Sequence, residues 1–244
     1  MKDVTTVGID IAKMVFHVHG VNHRGKKVFA KQLKRSKLLH FIRQLPPCLI
    51  GMEACSGAHY WARQFQAMGH EVKLMSAEFV KPYVKSNKND WADAEAIAEA
   101  VTRPTMRFVP IKGVEQLEMQ SLHRARHLLV TQRTALSNQI RGLLAEYGLV
   151  IPPGIHHLKR RLPDILADES DELTTTLKPL FHELLGRFNA MSLQIREYDK
   201  QLDVFVKNNE VCQRLMAMEG IGSKTASILV ATVNDASLFK NERE

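Results

Sequence analysis

The run Val4-Thr5-Thr6-Val7-Gly8-Ile9-Asp10, followed by Met14-Val15-Phe16-His17-Val18-His19-Gly20-Val21, decides the fold. Both runs carry the β-branched and aromatic residues that suit strands, and the polar segment 23–26 with its glycine predicts a turn into a third strand over 27–33. Three antiparallel strands are therefore expected at the start of the chain. Outward from them, a basic helix over 36–44 is broken by Pro46 and Pro47, and the apolar run 48–52 reads as a buried strand closed by Glu53. A helix over 58–68 stops at Gly69, a short strand spans 71–75, and an Ala- and Glu-rich helix covers 90–101. The resulting order is βββαβαβα.

Beyond Pro104 and Pro110 the texture changes. Leu122, Leu129, Leu136 and Leu143 recur every seven residues in a proline-free stretch, predicting a long helix over 114–147. A breaker region with Pro152, Pro153 and Pro163 follows, and then Leu184, Phe188, Met191, Ile195, Tyr198, Leu202 and Phe205 alternate steps of four and three. Two long helices want partners, either each other in an antiparallel hairpin or copies in another subunit, so a homo-oligomer is expected. The fold class is α/β plus all-α.

The chain has 244 residues, 45% of them hydrophobic, a composition that excludes disordered, collagenous and fibrous classes. Thirty-four Lys and Arg against 26 Asp and Glu leave a net charge of +8, which favours polyanions, with nucleic acid the first partner to test. Cys48, Cys55 and Cys212 form no C-x-x-C pair, which fits a reducing, cytoplasmic compartment. No apolar run is long enough to cross a bilayer.

The chemistry lies in the acids. Asp10 ends the first strand and Glu53 ends the strand over 49–52, so two apolar runs each close on a carboxylate. Like charges on neighbouring strand ends need a cation, and Mg²⁺ is the natural one. Asp90 and Asp93 sit three apart at a helix start, on one face, although acids there also complement the helix dipole and Asp90 could simply be the N-cap. Taken together, an Asp on the first strand, a Glu on a middle strand and an Asp pair opening a later helix match the layout of an RNase H-like fold. Such sites bind metal ions that act on a phosphodiester.

Four stretches, VGIDIAKMVFHVHG from Val7, LPPCLIGMEACSGAHYWAR from Leu45, VKPYVKSNKNDWADAEAIAEAV from Val80 and NQIRGLLAEYGLVIP from Asn138, resemble the DEDD-type insertion-sequence transposases, whose relatives are guided by a bridge RNA. The resemblance implies that Asp10, Glu53, Asp90 and Asp93 are the catalytic metal ligands of an RuvC-like domain over 1–108. It further implies a coiled-coil domain over 109–208 and a truncated start of a C-terminal domain over 209–244. A bacterial, nucleoid-associated setting, a DNA substrate and a structured guide RNA come with it. In similar transposases a C-terminal serine attacks the DNA. Ser223, Ser227 and Ser237 do not match its position, so none is assigned as the nucleophile and that serine is expected beyond Glu244. Trp91 departs from the family pattern, where a small residue is expected, and its bulk is expected to crowd the site.

Expected nucleic-acid contacts are Lys81, Lys85 and Lys88 near the acidic pair, and Arg124, Arg126, Arg133 and Arg141 on the long helix, although charges on a helix face are commonly just solvated. Gly220-Ile221-Gly222 with Lys224 resembles the turn of a helix-hairpin-helix, which offers backbone N–H groups to a phosphate; a plain interhelical turn is the alternative. Rival readings are a junction-resolving nuclease using metal-bound water and a catalytically inactive regulator acting through mixed oligomers. An ATPase of the actin or sugar-kinase type lacks a second Gly-rich phosphate loop.

Overall fold

The opening runs fold into strands β1 (Thr6–Ile11), β2 (Val15–Val21) and β3 (Lys27–Lys34), an antiparallel meander. Strands β4 (Leu49–Glu53) and β5 (Glu71–Met75) add parallel to β1, and a two-residue strand β6 (Phe108–Val109) closes the far edge antiparallel to β5. The sheet order is β3-β2-β1-β4-β5-β6. Parallel neighbours need crossovers, and helices α1 (Arg35–Arg43) and α2 (Ala58–Gln66) stand before β4 and β5 in the chain. After β5 come α3 (Ala77–Val80), a 3-10 turn at Lys81–Tyr83 and α4 (Asp90–Ala100). This computed structural model describes residues 3–84, 89–168 and 173–233, in two compact units, residues 3–113 and Val114–Val233.

Side chains alternate across a strand, and that alternation divides the first unit. One sheet face carries Val7, Ile9, Phe16, Val18, Ile50 and Met52, buried in a core with Leu38, Phe41 and Ile42 of α1 and Trp61, Ala62 and Phe65 of α2. The other face carries Gly8 and Asp10 of β1, His17 and His19 of β2, and Gly51 of β4, in the register Gly8↔His19, Asp10↔His17 and Gly8↔Gly51. Helix α4 packs on this face against β1, β2 and β4. It approaches so closely that a Cβ on Gly8 would stand 2.2 Å from the Ala94 carbonyl oxygen, and one on Gly51 2.8 Å from Val101 Cβ. The buried side of α4 is correspondingly small, with Ala94, Ala96, Ala98 and Ala100 beside Ile97.

The second unit is helical: α5 (Val114–Ala145), α6 (Ile155–Ala167), α7 (Lys178–Lys207), α8 (Glu210–Met216) and α9 (Ser223–Thr232). The long helices α5 and α7 pair with each other within the chain, and α9 packs on both. The seam of α5 does not keep the seven-residue leucine repeat. Leu136, Ile140 and Leu144 are buried whereas Leu143 is 37% exposed, because a straight helix of 3.6 residues per turn drifts off a strict 3.5 period.

The region expected to break helices holds α6 instead, with Pro163 inside it. A proline in a helix interior costs about 3 kcal/mol. Leu158, Leu162 and Leu166, spaced four apart, are all buried against Leu136, Phe181 and Phe188, and full burial contributes roughly 1.5–3 kcal/mol per leucine. Tertiary packing therefore overrides the local signal.

Candidate metal centre

The site starts at the end of β1. Ile9 is buried in the core and Asp10 follows it, half-buried, one residue before the end of the strand. Helix α4 brings the next two acids. Its N-cap is Asn89, whose side-chain oxygen accepts from the Ala92 N–H at 2.9 Å, so capping does not account for Asp90. Asp90 and Asp93 lie in the first turn, where the exposed N–H groups favour negative charge.

With α4 resting on Gly8 and Gly51, the carboxylates of Asp10, Asp90 and Asp93 converge: each offers an oxygen, and all three lie within 4.8 Å of one another. Asp10 and Asp93 are half-buried and Asp90 is exposed. Carboxylates this close repel unless a proton or cation intervenes. The donor set is all oxygen, the preference of hard divalent ions such as Mg²⁺, so these residues fit such an ion.

Glu53 ends β4 one step beyond the Ile9↔Met52 register pair, which makes it Asp10's neighbour on the adjacent strand. It is not in the three-acid cluster but lies beside it. The Cys55 thiol is pushed above its ordinary range by burial and then by the charges of Glu53 and Asp10, so both acids act on the same end of the sheet.

Two further residues complete the surroundings. Trp91 is 43% exposed and turns its ring onto His17, centroids 4.7 Å apart and planes at 70°. It lies beside the three carboxylates without keeping them apart. His17 was not expected at the site. It is 5% exposed, stands opposite Asp10 in the β1–β2 register, and holds Nδ1 3.6 Å from Asp90 Oδ2. In the sequence it reads as one polar residue in an alternating strand, and only its position two strands from Glu53 and opposite Asp10 marks it.

The expected nucleic-acid contacts fare differently from one another. Lys81 is exposed at the start of the 3-10 turn, while Lys85 and Lys88 lie outside the described residues. Arg124 is exposed on α5. Arg126 donates to Asp199 Oδ1 at 2.6 Å, and Lys224 Nζ reaches the same oxygen at 3.0 Å. Burial alone would raise the Asp199 carboxyl, but hydrogen bonds from Arg126 and Lys224 outweigh it and hold the group below the usual carboxylate range. Arg133 is half-buried and donates to Ser192 Oγ at 3.4 Å; Arg141 donates to Ser137 Oγ at 2.9 Å and to Asn138. Gly220 takes φ +85° in the turn between α8 and α9, Ile221 packs with Val206, Cys212 and Ala226, and Gly222 is the N-cap of α9.

The family model for IS110-type DEDD proteins, described as Transposase, matches residues 7–149. The chain is similar to a probable family 20 transposase of Pseudomonas aeruginosa, 44% identical over 243 residues, covering 99% of this chain and 72% of the relative. It is similar to the transposase for insertion sequence element IS1111A of Coxiella burnetii, 44% identical over 248 residues, covering 100% of this chain and 67% of the relative. The transposase for insertion sequence element IS1328 of Yersinia enterocolitica is 39% identical over 244 residues, covering 100% of this chain and 72% of the relative. With more than half its length matched by that model and its whole length by these relatives, the chain belongs to the IS110 family of DEDD insertion-sequence transposases.

Proposed function

We propose that this chain recognises DNA, together with a structured guide RNA, and assembles a Mg²⁺ site that serves phosphodiester cleavage and strand transfer. The observation that carries the reading is the convergence of Asp10, Asp90 and Asp93, from two separate elements, to within 4.8 Å. The order β3-β2-β1-β4-β5, antiparallel in its first three strands and parallel in its last three, supports an RNase H-like, RuvC-like fold for residues 1–108.

In this reading Asp10, Asp90 and Asp93 hold the metal and Glu53 completes the set from the adjacent strand. A divalent ion bound there polarises a phosphodiester and offsets charge on the leaving oxygen. The protein's own part is positioning. Asp10 is fixed by a strand with a buried core beneath it, and the aspartates of α4 are fixed by a helix seated on glycine. Residues 109–208 form the coiled-coil domain through which copies of the chain associate, and the turn between α8 and α9 is a helix-hairpin-helix. In the first unit Lys81 meets nucleic-acid phosphates, and in the second Arg124 and the N-terminus of α9 do. None of the chain's serines is assigned as nucleophile; Ser227 is fully buried and engaged with His123 at 3.0 Å.

The test compares Mg²⁺-dependent binding or cleavage of insertion-sequence end DNA by the wild type, Asp10→Ala and Asp93→Ala. Loss of the Mg²⁺-dependent signal in both variants is expected, and unchanged behaviour in both rejects the assignment.

A further inference from the structure

We propose that His17 is a positioning residue of the acidic centre, its Nδ1 holding one oxygen of the Asp90 carboxylate so that the other is presented to the metal. The proposal rests on the reading of Asp10, Asp90 and Asp93 as a divalent-ion site.

His17 is in the middle of β2, buried on the sheet face that α4 covers. Its side chain is 7% exposed, and its Nδ1 has no hydrogen-bond partner among the described residues. Buried polar side-chain atoms are mostly satisfied, and one that is not calls for an explanation such as a nearby ion, water or catalytic role. The nitrogen is aimed at the acids: Asp90 Oδ2 lies 3.6 Å away, only slightly beyond an N–H···O hydrogen bond. A small movement of an exposed aspartate closes that gap.

The neighbours restrict the imidazole to this role. Asp10 is its cross-strand partner on the same sheet face, so the ring sits beneath the cluster. The Trp91 ring packs edge-on against it and limits rotation away from α4. Asp90, by contrast, has a side chain 68% exposed and lies on the first turn of its helix. Without a fixed partner such a carboxylate samples several rotamers. Partners behind a metal's direct ligands typically change affinity by about 10- to 100-fold when removed.

The experiment measures Mn²⁺ binding to the full chain by electron paramagnetic resonance of the free ion, with thermal melting of each variant alongside. Asp10→Asn is the control for the site. His17→Leu removes the donor, His17→Asn keeps an amide N–H near the place of Nδ1, and His17→Gln moves it outward. Expected are loss of Mn²⁺ binding in Asp10→Asn, about tenfold weaker binding in His17→Leu and His17→Gln, and affinity near wild type in His17→Asn. If His17→Leu does not fold, the Asn and Gln variants decide. Wild-type affinity in His17→Leu, or indistinguishable Asn and Gln variants, overturns the positioning role while a silent Asp10→Asn overturns the site itself.

Discussion

Replacing Gly8 by alanine perturbs the closest of the glycine contacts that seat α4 on the sheet. An added Cβ would stand 2.2 Å from the Ala94 carbonyl oxygen, 2.4 Å from the Ala98 amide nitrogen and 2.9 Å from Ala98 Cβ. Ordinary contact begins at 3.4 Å, so α4 would have to lift by about 1.2 Å, the difference between 3.4 and 2.2 Å, a displacement characteristic of overpacking. Two of the three neighbours are backbone atoms, so no side-chain rotation relieves the clash, and the cost is expected at the upper end of the range, about 3 kcal/mol. For a unit of this size that lowers Tm by roughly 10 °C or more. The same lift carries Asp90 and Asp93 away from Asp10, so stabilisation by millimolar Mg²⁺ should vanish as well. Melting wild type and Gly8→Ala with and without Mg²⁺ measures both effects. Gly51→Ala provides the contrast, because its Cβ would meet the Val101 side chain at 2.8 Å. Val101→Ala should relieve Gly51→Ala, with a coupling of about 0.5–3 kcal/mol, and should not relieve Gly8→Ala. A Gly8→Ala protein with wild-type Tm and wild-type Mg²⁺ response would refute the reasoning.

Four other outcomes concern side chains elsewhere. The lowered Asp199 carboxyl stabilises the fold above its unfolded-state value, near about 3.9, and this contribution is lost as pH falls through the lower folded value. Asp199→Asn should therefore unfold about 1–3 kcal/mol more easily than wild type at neutral pH, with the gap closing at acid pH; a gap that stays constant would disprove the pairing. In native-state thiol labelling Cys55 should react alone, because Cys212 is buried and burial pushes the Cys48 thiol up to about 11; rapid labelling of all three contradicts the core packing. Arg124→Ala should flatten the salt dependence of DNA affinity, by a slope of about 0.9 per lost phosphate contact, without changing Tm. Arg126→Ala should instead lower Tm through Asp199.

Much of the first unit could be read directly, because β1, β2 and β4 carry β-branched and apolar runs, and β1 and β4 close near acids that stand out against them. Asp10 was legible for that reason and the Asp90–Asp93 pair for its spacing at a helix start, and the structure brings those three together. Gly8 and Gly51 were not. In a sequence a strand glycine looks like weakened pairing, and the close approach of α4 that requires it exists only in three dimensions. His17 was hidden by the same alternation that revealed its strand. Helix α6 escaped because Pro163 is a local stop signal, outweighed by three leucines whose partners are far along the chain. Strand β6 is two residues long, too short to carry any periodicity. The basic residues were legible as charges but not as contacts: nothing near Arg126 or Lys224 in sequence points to Asp199.

The most direct measurement is a crystal structure of the protein grown with Mn²⁺, using anomalous scattering to locate the ion. A peak bonded by Asp10, Asp90 and Asp93 is the predicted result. Mn²⁺ bound at other positions with none at these carboxylates would contradict the account.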